Sequence, residues 1–122
     1  MILADTSVWV DYLRGQKPKM QNLLMVGEIA MHPYVIAEVA LGSLKNRRRT
    51  FALMESLWPV KVADLREVRQ MIEAHSLYST GIGLTDAHLV ASCLLNPGIK
   101  LWTRDARLQQ IAIRLGIDAN LS

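Results

Sequence analysis

Four carboxylates, Asp5, Glu38, Asp86 and Asp105, stand where this chain leaves an apolar run or travels along an apolar helix. Glu38 is the most conspicuous, because Pro33-Tyr34-Val35-Ile36-Ala37 precedes it and Val39-Ala40-Leu41-Gly42 follows. An ionised group among such neighbours is costly to desolvate unless a positive charge meets it. The chemistry expected is a cluster of hard oxygen ligands around a divalent metal ion. Such a set, without histidine or thiolate, selects magnesium or manganese over zinc. Each acid also has a plain structural reading. Asp5 and Asp105 can cap the helices that follow them, and Asp86 can sit in a first helical turn and favour the helix dipole. Thr6 and Ser7 already offer a cap after Asp5, and only Lys45 is at hand to pair with Glu38. The conjunction of the four carries the metal reading.

The elements that must position these groups follow from periodicity and punctuation. Ile2-Leu3-Ala4 reads as a strand ending at Asp5, followed by a helix up to Gly15. A helix over 18–26 is stopped by Gly27, and 29–31 is a second strand. Pro33 opens a helix to about residue 44, on which Val35, Ile36, Val39 and Ala40 face inward while Glu38 shares a flank with Tyr34, Leu41 and Lys45. A helix over 47–55, a strand over 59–62, and a helix capped by Asp64 and running to about 77 come next. After the loop 79–83, Thr85 caps a helix to Leu95 with Asp86 in its first turn, and 100–103 is a strand leading into Arg104-Asp105 and a helix to about 115. Residues from 117 on can add an edge strand. Strands alternating with helices make an α/β domain with a mainly parallel sheet of four to five strands. In such sheets the functional crevice lies beyond the carboxyl ends of the strands, where strand order reverses, which is where Asp5 and Asp105 fall.

At 122 residues the chain reads as one domain, 1–122, with no internal repeat or low-complexity segment. Hydrophobic residues make up 51%, which implies either a large core or apolar surface covered by a partner or a second copy. No apolar run is long enough for a bilayer span, the N-terminus lacks a basic signal-peptide region, and one cysteine, Cys93, gives no disulfide framework. A cytoplasmic protein is expected. Setting the four acids aside leaves 7 acidic against 14 basic residues, a surround of +7 about a negative, metal-charged pocket. That layout suits a protein that holds a polyanion and acts on its backbone.

Taken in order, Ile2-Leu3-Ala4-Asp5-Thr6-Ser7-Val8-Trp9, Ile36-Ala37-Glu38-Val39, Leu84-Thr85-Asp86-Ala87 and Leu101-Trp102-Thr103-Arg104-Asp105 closely resemble the PIN domain, in particular the VapC toxins of bacterial type II toxin–antitoxin systems. The resemblance spans nearly the whole chain. It implies a three-layer sandwich of helices around a parallel sheet, and an endoribonuclease dependent on Mg2+ or Mn2+. Asp5, Glu38, Asp86 and Asp105 match the family's four acids, and Thr6, Ser7 and Thr103 match the small polar residues around them. It further implies a homodimer, and a cognate antitoxin whose C-terminal segment enters the acidic groove. With those roles, Asp5 and Asp86 are ligands, Asp105 a ligand or water-mediated group, and Glu38 a ligand or water-orienting base. Water attacking the phosphodiester in line leaves a 5′-phosphate and a 3′-hydroxyl.

Other residues carry weaker expectations. Arg104, beside Asp105, is a candidate phosphate contact, and Thr6, Ser7 and Thr103 are candidates to touch the RNA. The run Lys45-Asn46-Arg47-Arg48-Arg49 is either a grip on RNA or antitoxin or a solvated helix start. His32, His75 and His88 have no metal or catalytic-pair spacing, and Trp9, Trp58 and Trp102 read as core. Two rival functions remain: a phosphoryl-transfer enzyme attacking through Asp5, although the residue two beyond it is Ser7 and not a second Asp, and a non-catalytic RNA- or protein-binding module.

Overall fold

The computed structural model describes residues 1–15 and 18–121. Four parallel strands, β1 (Ile2–Ala4), β2 (Ile29–Met31), β3 (Trp58–Pro59) and β4 (Lys100–Trp102), form one sheet in the order β3-β2-β1-β4. Among the described residues seven helices flank it: α1 (Thr6–Leu13), α2 (Pro18–Met25), α3 (Pro33–Ala40), α4 (Arg47–Ser56), α5 (Leu65–Ala74), α6 (Leu84–Leu95) and α7 (Ala106–Arg114). The α/β architecture is the one expected. The inner strands are short runs of buried apolar residues, as a sheet covered on both faces requires.

Topology fixes where chemistry can happen. The chain steps outward from β1 through β2 to β3, then returns to the other side of β1 as β4, so strand order reverses at β1. The crevice therefore opens at the carboxyl end of β1, between those of β2 and β4. Asp5 N–H donates to the Trp102 carbonyl at 2.9 Å, carrying the ladder one residue past β1 and setting Asp5 beside Thr103.

The core gathers Leu3, Val8, Trp9, Leu89, Leu101, Trp102 and Leu108 about the sheet. Helix α6 is buried continuously from Ala87 to Cys93, so it runs through the interior. Burial pushes the Cys93 thiol up to about 12, against the pull of Lys100, leaving it a small inert hydrophobe. Trp9 and Trp102 are core residues as expected, but Trp58 is half exposed on the edge strand. No described helix is long and apolar enough to cross a membrane.

Several boundaries differ from the sequence reading, each for a local reason. Helix α3 ends at Ala40, four residues early, because Arg47 reaches back to donate to the Ala40 and Gly42 carbonyls at 2.9 and 3.0 Å. Arg47 also lies 5.2 Å over the Phe51 ring, so this member of the basic run is occupied at a helix end. The strand expected over 59–62 shrinks to Trp58–Pro59, where an edge position tolerates a proline. Helix α5 starts as expected, with a reciprocal capping box between Asp64 and Glu67, but stops at Ala74 before Ser76 turns to φ 55°. Past residue 117, among the described residues, a bridge between Leu101 and Asp118 stands in place of a strand.

Candidate active site

Asp5 leaves β1 in an extended conformation and is itself the cap of α1, its Oδ1 accepting from Val8 N–H at 3.1 Å. Thr6 and Ser7, expected to cap, lie inside the helix. The extended backbone that a cap requires falls at Asp5 alone, and the Ser7 hydroxyl donates to Asp5 Oδ1 at 2.5 Å. The Thr103 hydroxyl donates to Asp5 Oδ2 and accepts from Asp105 N–H at 3.0 Å, tying the ends of β1 and β4 together. Asp5 is 4% exposed. Burial raises its pKa, opposed by the hydrogen bonds from Ser7, Thr103 and Val8.

Glu38 overturns the reason for which it stood out. Ala37, Glu38 and Leu41 are exposed, so the carboxylate lies in solvent at the crevice rim and pays no desolvation cost. Its Oε1 accepts from Thr6 Oγ1 at 2.5 Å. Thr6, Ser7 and Thr103, expected around a substrate phosphate, thus give their hydroxyl protons to carboxylates.

Asp105 caps α7, its Oδ1 accepting from Arg107 and Leu108 N–H at 2.9 and 3.0 Å. Asp86 lies in the first turn of α6, where the cap is Gly83 and not Thr85. The Asp86 carboxyl is pushed from an ordinary 3.8 up to about 6, by burial first and then by the charge of Asp5. A hydrogen bond from Gly83 opposes this, and the charges of Asp105 and Glu38 add to it. One half-buried carboxyl thus feels all three of the others. Four acids brought by β1, α3, α6 and the end of β4 share one end of the sheet.

That crowding has a measurable consequence. Because its folded pKa is raised, Asp86 costs nothing below about pH 4, where it is protonated in folded and unfolded chains alike; the cost grows between pH 4 and 6 and is full above 6. Asp86→Asn should therefore stabilise the metal-free protein by about 1–2 kcal/mol at about pH 7.5, allowing for solvent screening, and by almost nothing at about pH 4. Urea unfolding of variant and wild type at the two pH values reads this difference. An equal gain at both would show that charge is not its origin.

The donor set suits a hard divalent cation: Oε2 of Glu38 and Oδ2 of Asp105 accept no hydrogen bond among the described residues, and Asp86 carries a repulsion that a cation would relieve. Among the described residues, no three acidic, histidine or cysteine side chains converge tightly enough to enclose an ion as they stand. Arg104 N–H donates to Ser7 Oγ at 3.0 Å, and its guanidinium lies 3.8 Å from Asp11, a partly exposed pair of little energetic weight.

The profile of the PIN domain matches residues 2–114 of the chain. The chain belongs to the PIN-domain family. Ribonuclease VapC32 of Mycobacterium tuberculosis, in the CDC 1551 / Oshkosh and ATCC 25618 / H37Rv strains, is 39% identical to it over 117 residues, covering 96% of this chain and 94% of the relative. This PIN domain is thus of the VapC type.

Sequence spacing gave no hint that two histidines of the PIN domain meet. His32 follows β2 and caps α3, its Nδ1 accepting from Tyr34 N–H at 3.0 Å, and its ring lies 6.1 Å from that of His88, which Tyr34 approaches to 4.4 Å. Burial, and then the charge of His88, push His32 down to about 4; burial also lowers His88. Both are neutral at physiological pH and form an aromatic wall. The one local signal was His32 directly before Pro33, a cap followed by proline at the first helical position.

Proposed function

We propose that the protein is the toxin of a VapBC-like toxin–antitoxin system, an endoribonuclease that hydrolyses RNA phosphodiester bonds with Mg2+, or Mn2+ in its place. The observation that carries this reading is the gathering of Asp5, Glu38, Asp86 and Asp105, brought by four separate elements, at the crevice where β1, β2 and β4 end; the raised Asp86 carboxyl, pushed up by burial and then by the charges of the other three, accords with it. The 39% identity to the mycobacterial ribonuclease supports it.

Asp5, Asp86 and Asp105 would hold the cation, which supplies charge stabilisation at the phosphoryl group and a lowered pKa for attacking water. Ser7 and Thr103 hold the Asp5 carboxylate still, and Thr103 passes the same constraint to Asp105. Glu38, exposed and with Oε2 unengaged among the described residues, would serve as a ligand or as the base that orients the attacking water and takes its proton. Attack at phosphorus breaks the bond to the 3′-oxygen, which leaves as a hydroxyl and keeps the phosphate on the 5′ side of the next nucleotide. Arg104 contributes positive charge at the rim. Phosphoryl transfer through Asp5 fits less well, because both its oxygens accept hydrogen bonds and the group is buried.

The reading includes an antitoxin and a homodimer. A groove of about 730 Å³ runs from Glu38 between α1, α3 and α4, floored by Val10, Leu13 and Leu53 and edged by Arg14, Lys45 and Arg49, and would take an apolar segment carrying acidic groups. Exposed Met25, Val26 and Leu41 supply further apolar surface for partners.

Purified protein with RNA and millimolar Mg2+ or Mn2+ should give fragments with 5′-phosphate and 3′-hydroxyl ends, and none with chelator. The same ions should raise the melting temperature, by about 10 °C where the ion stands at 100 times its Kd. Cleavage that persists in chelator, or 2′,3′-cyclic phosphate ends, would overturn the mechanism.

A further inference from the structure

Before α6 the loop 78–83 bounds a cavity of about 260 Å³, walled by Ile72, Leu77, Ile82 and Ala87 with Tyr78 and Leu84 at its lining. Tyr78 and Leu84 are 60% and 57% exposed despite being large and apolar. Gly83 and Leu84 line the cavity and also begin the helix that carries Asp86, so cavity and acidic centre flank one helical turn.

Ser79 at φ 61° and Gly81 at φ 87° turn this loop. Arg107 lies against the loop: a Cβ on Gly81 would come within 2.9 Å of its Nη1 and 3.2 Å of its Cδ. The Arg107 main chain is held by Asp105, and no carboxylate is in ion-pair range of its guanidinium among the described residues. A guanidinium with no ion-pair partner among the described residues therefore lies against the cavity loop, on the residue whose main chain is bound by Asp105.

We propose that this cavity is a nucleobase subsite, in which a nucleotide beside the scissile phosphate unstacks and lays its base against Tyr78 while Arg107 holds the adjoining phosphate. The proposal rests on the ribonuclease reading above. A base is apolar on its faces and polar on its edges, and here apolar walls meet Ser79, Thr80 and the main chain of the glycine-bearing loop. The volume lies just under the range of about 300–1,000 Å³ of pockets for drug-sized ligands, which suits one ring system and not two nucleotides. Stacking on an aromatic ring together with a basic contact is how single-stranded RNA is gripped. Tyr78 would thus set the preferred base and Arg107 would add affinity without regard to sequence.

The test is cleavage of a randomised single-stranded RNA pool, with the ends sequenced, by wild type, Tyr78→Ala, Tyr78→Phe and Arg107→Gln. Wild type should favour certain bases at one position beside the cut. Tyr78→Ala should flatten that preference and lower kcat/KM about 10- to 100-fold, chiefly through KM. Tyr78→Phe should restore both, and Arg107→Gln should weaken all sequences alike and lower the salt dependence by about one charge. A base preference unchanged in Tyr78→Ala would overturn the subsite while the ribonuclease reading stands.

A binding measurement separates the two ideas. With Asp5→Asn protein and a short RNA containing 2-aminopurine, the fluorescence should be quenched when Tyr78 is present and not in the additional Tyr78→Ala variant. Quenching without cleavage by the wild type would fell the ribonuclease reading and keep the base subsite. Equal fluorescence with and without Tyr78 would fell the subsite, and would leave the cavity to a side chain of a protein partner.

Discussion

Asp5→Asn should abolish RNA cleavage and leave the fold standing. Asparagine is as good a helix cap as aspartate, so Oδ1 can keep the 3.1 Å bond from Val8 N–H, and the Thr103 hydroxyl can rotate to accept from the new amide. What is lost is a negative charge at the centre of the acidic group. Removing a group that merely supports a metal ligand costs about 10- to 100-fold, so loss of a ligand should lower kcat/KM by at least about 100-fold. Stability should change by less than about 1 kcal/mol, since the loss of a buried charge whose pKa is raised offsets the weakening of its charge-assisted hydrogen bonds. RNA end mapping after induced expression of the two forms, beside their unfolding curves, measures both. New cleavage ends and growth arrest that survive the substitution would remove the catalytic role of Asp5.

Thr103→Val should do the reverse, unsettling the fold first. Thr103 is buried, donates to the buried Asp5 carboxylate and accepts from Asp105 N–H, so valine of similar shape leaves one acceptor and one donor unpaired. A buried unsatisfied group costs about 1–3 kcal/mol, more when it is charged, which puts the loss at about 3 kcal/mol and the fall in melting temperature near 10 °C. Thr103→Ser keeps the hydroxyl and should recover most of it. In the double variant with Asp5→Asn the penalty should shrink, because the acceptor left behind is no longer ionised. Additive losses in that cycle would mean that the two side chains do not act on each other.

The two variants separate what one carboxylate does twice. Asp5 is a helix cap with a local structural reason to exist, and after burial its charge is the largest influence that pushes Asp86 up to about 6. The same duality holds for Asp105, whose Oδ1 caps α7 while its charge also bears on Asp86. Capping fixes these two carboxylates at the sheet end without long side chains to order, so they are held there at little entropic cost.

The sequence by itself determined what depends on near neighbours along the chain. The apolar runs at Ile2–Ala4, Ile29–Met31 and Lys100–Trp102, the caps at Asp64 and Asp105, and the alternation that makes a parallel sheet are local patterns, and all appear in the structure. The order of the four acids was equally legible, and with it the PIN-domain family. Only the tertiary structure decided which faces are covered. Glu38 sits among apolar residues in sequence yet is exposed, on a flank where Leu41 is also 89% exposed and where α1 reaches Glu38 only through the Thr6 hydroxyl among the described residues. Thr103 meeting Asp5, His32 meeting His88 and Arg107 lying on Gly81 likewise join residues far apart in the chain. Contacts of that kind arise from how strands order themselves in the sheet and how helices lie on it, and periodicity along the chain carries no record of either.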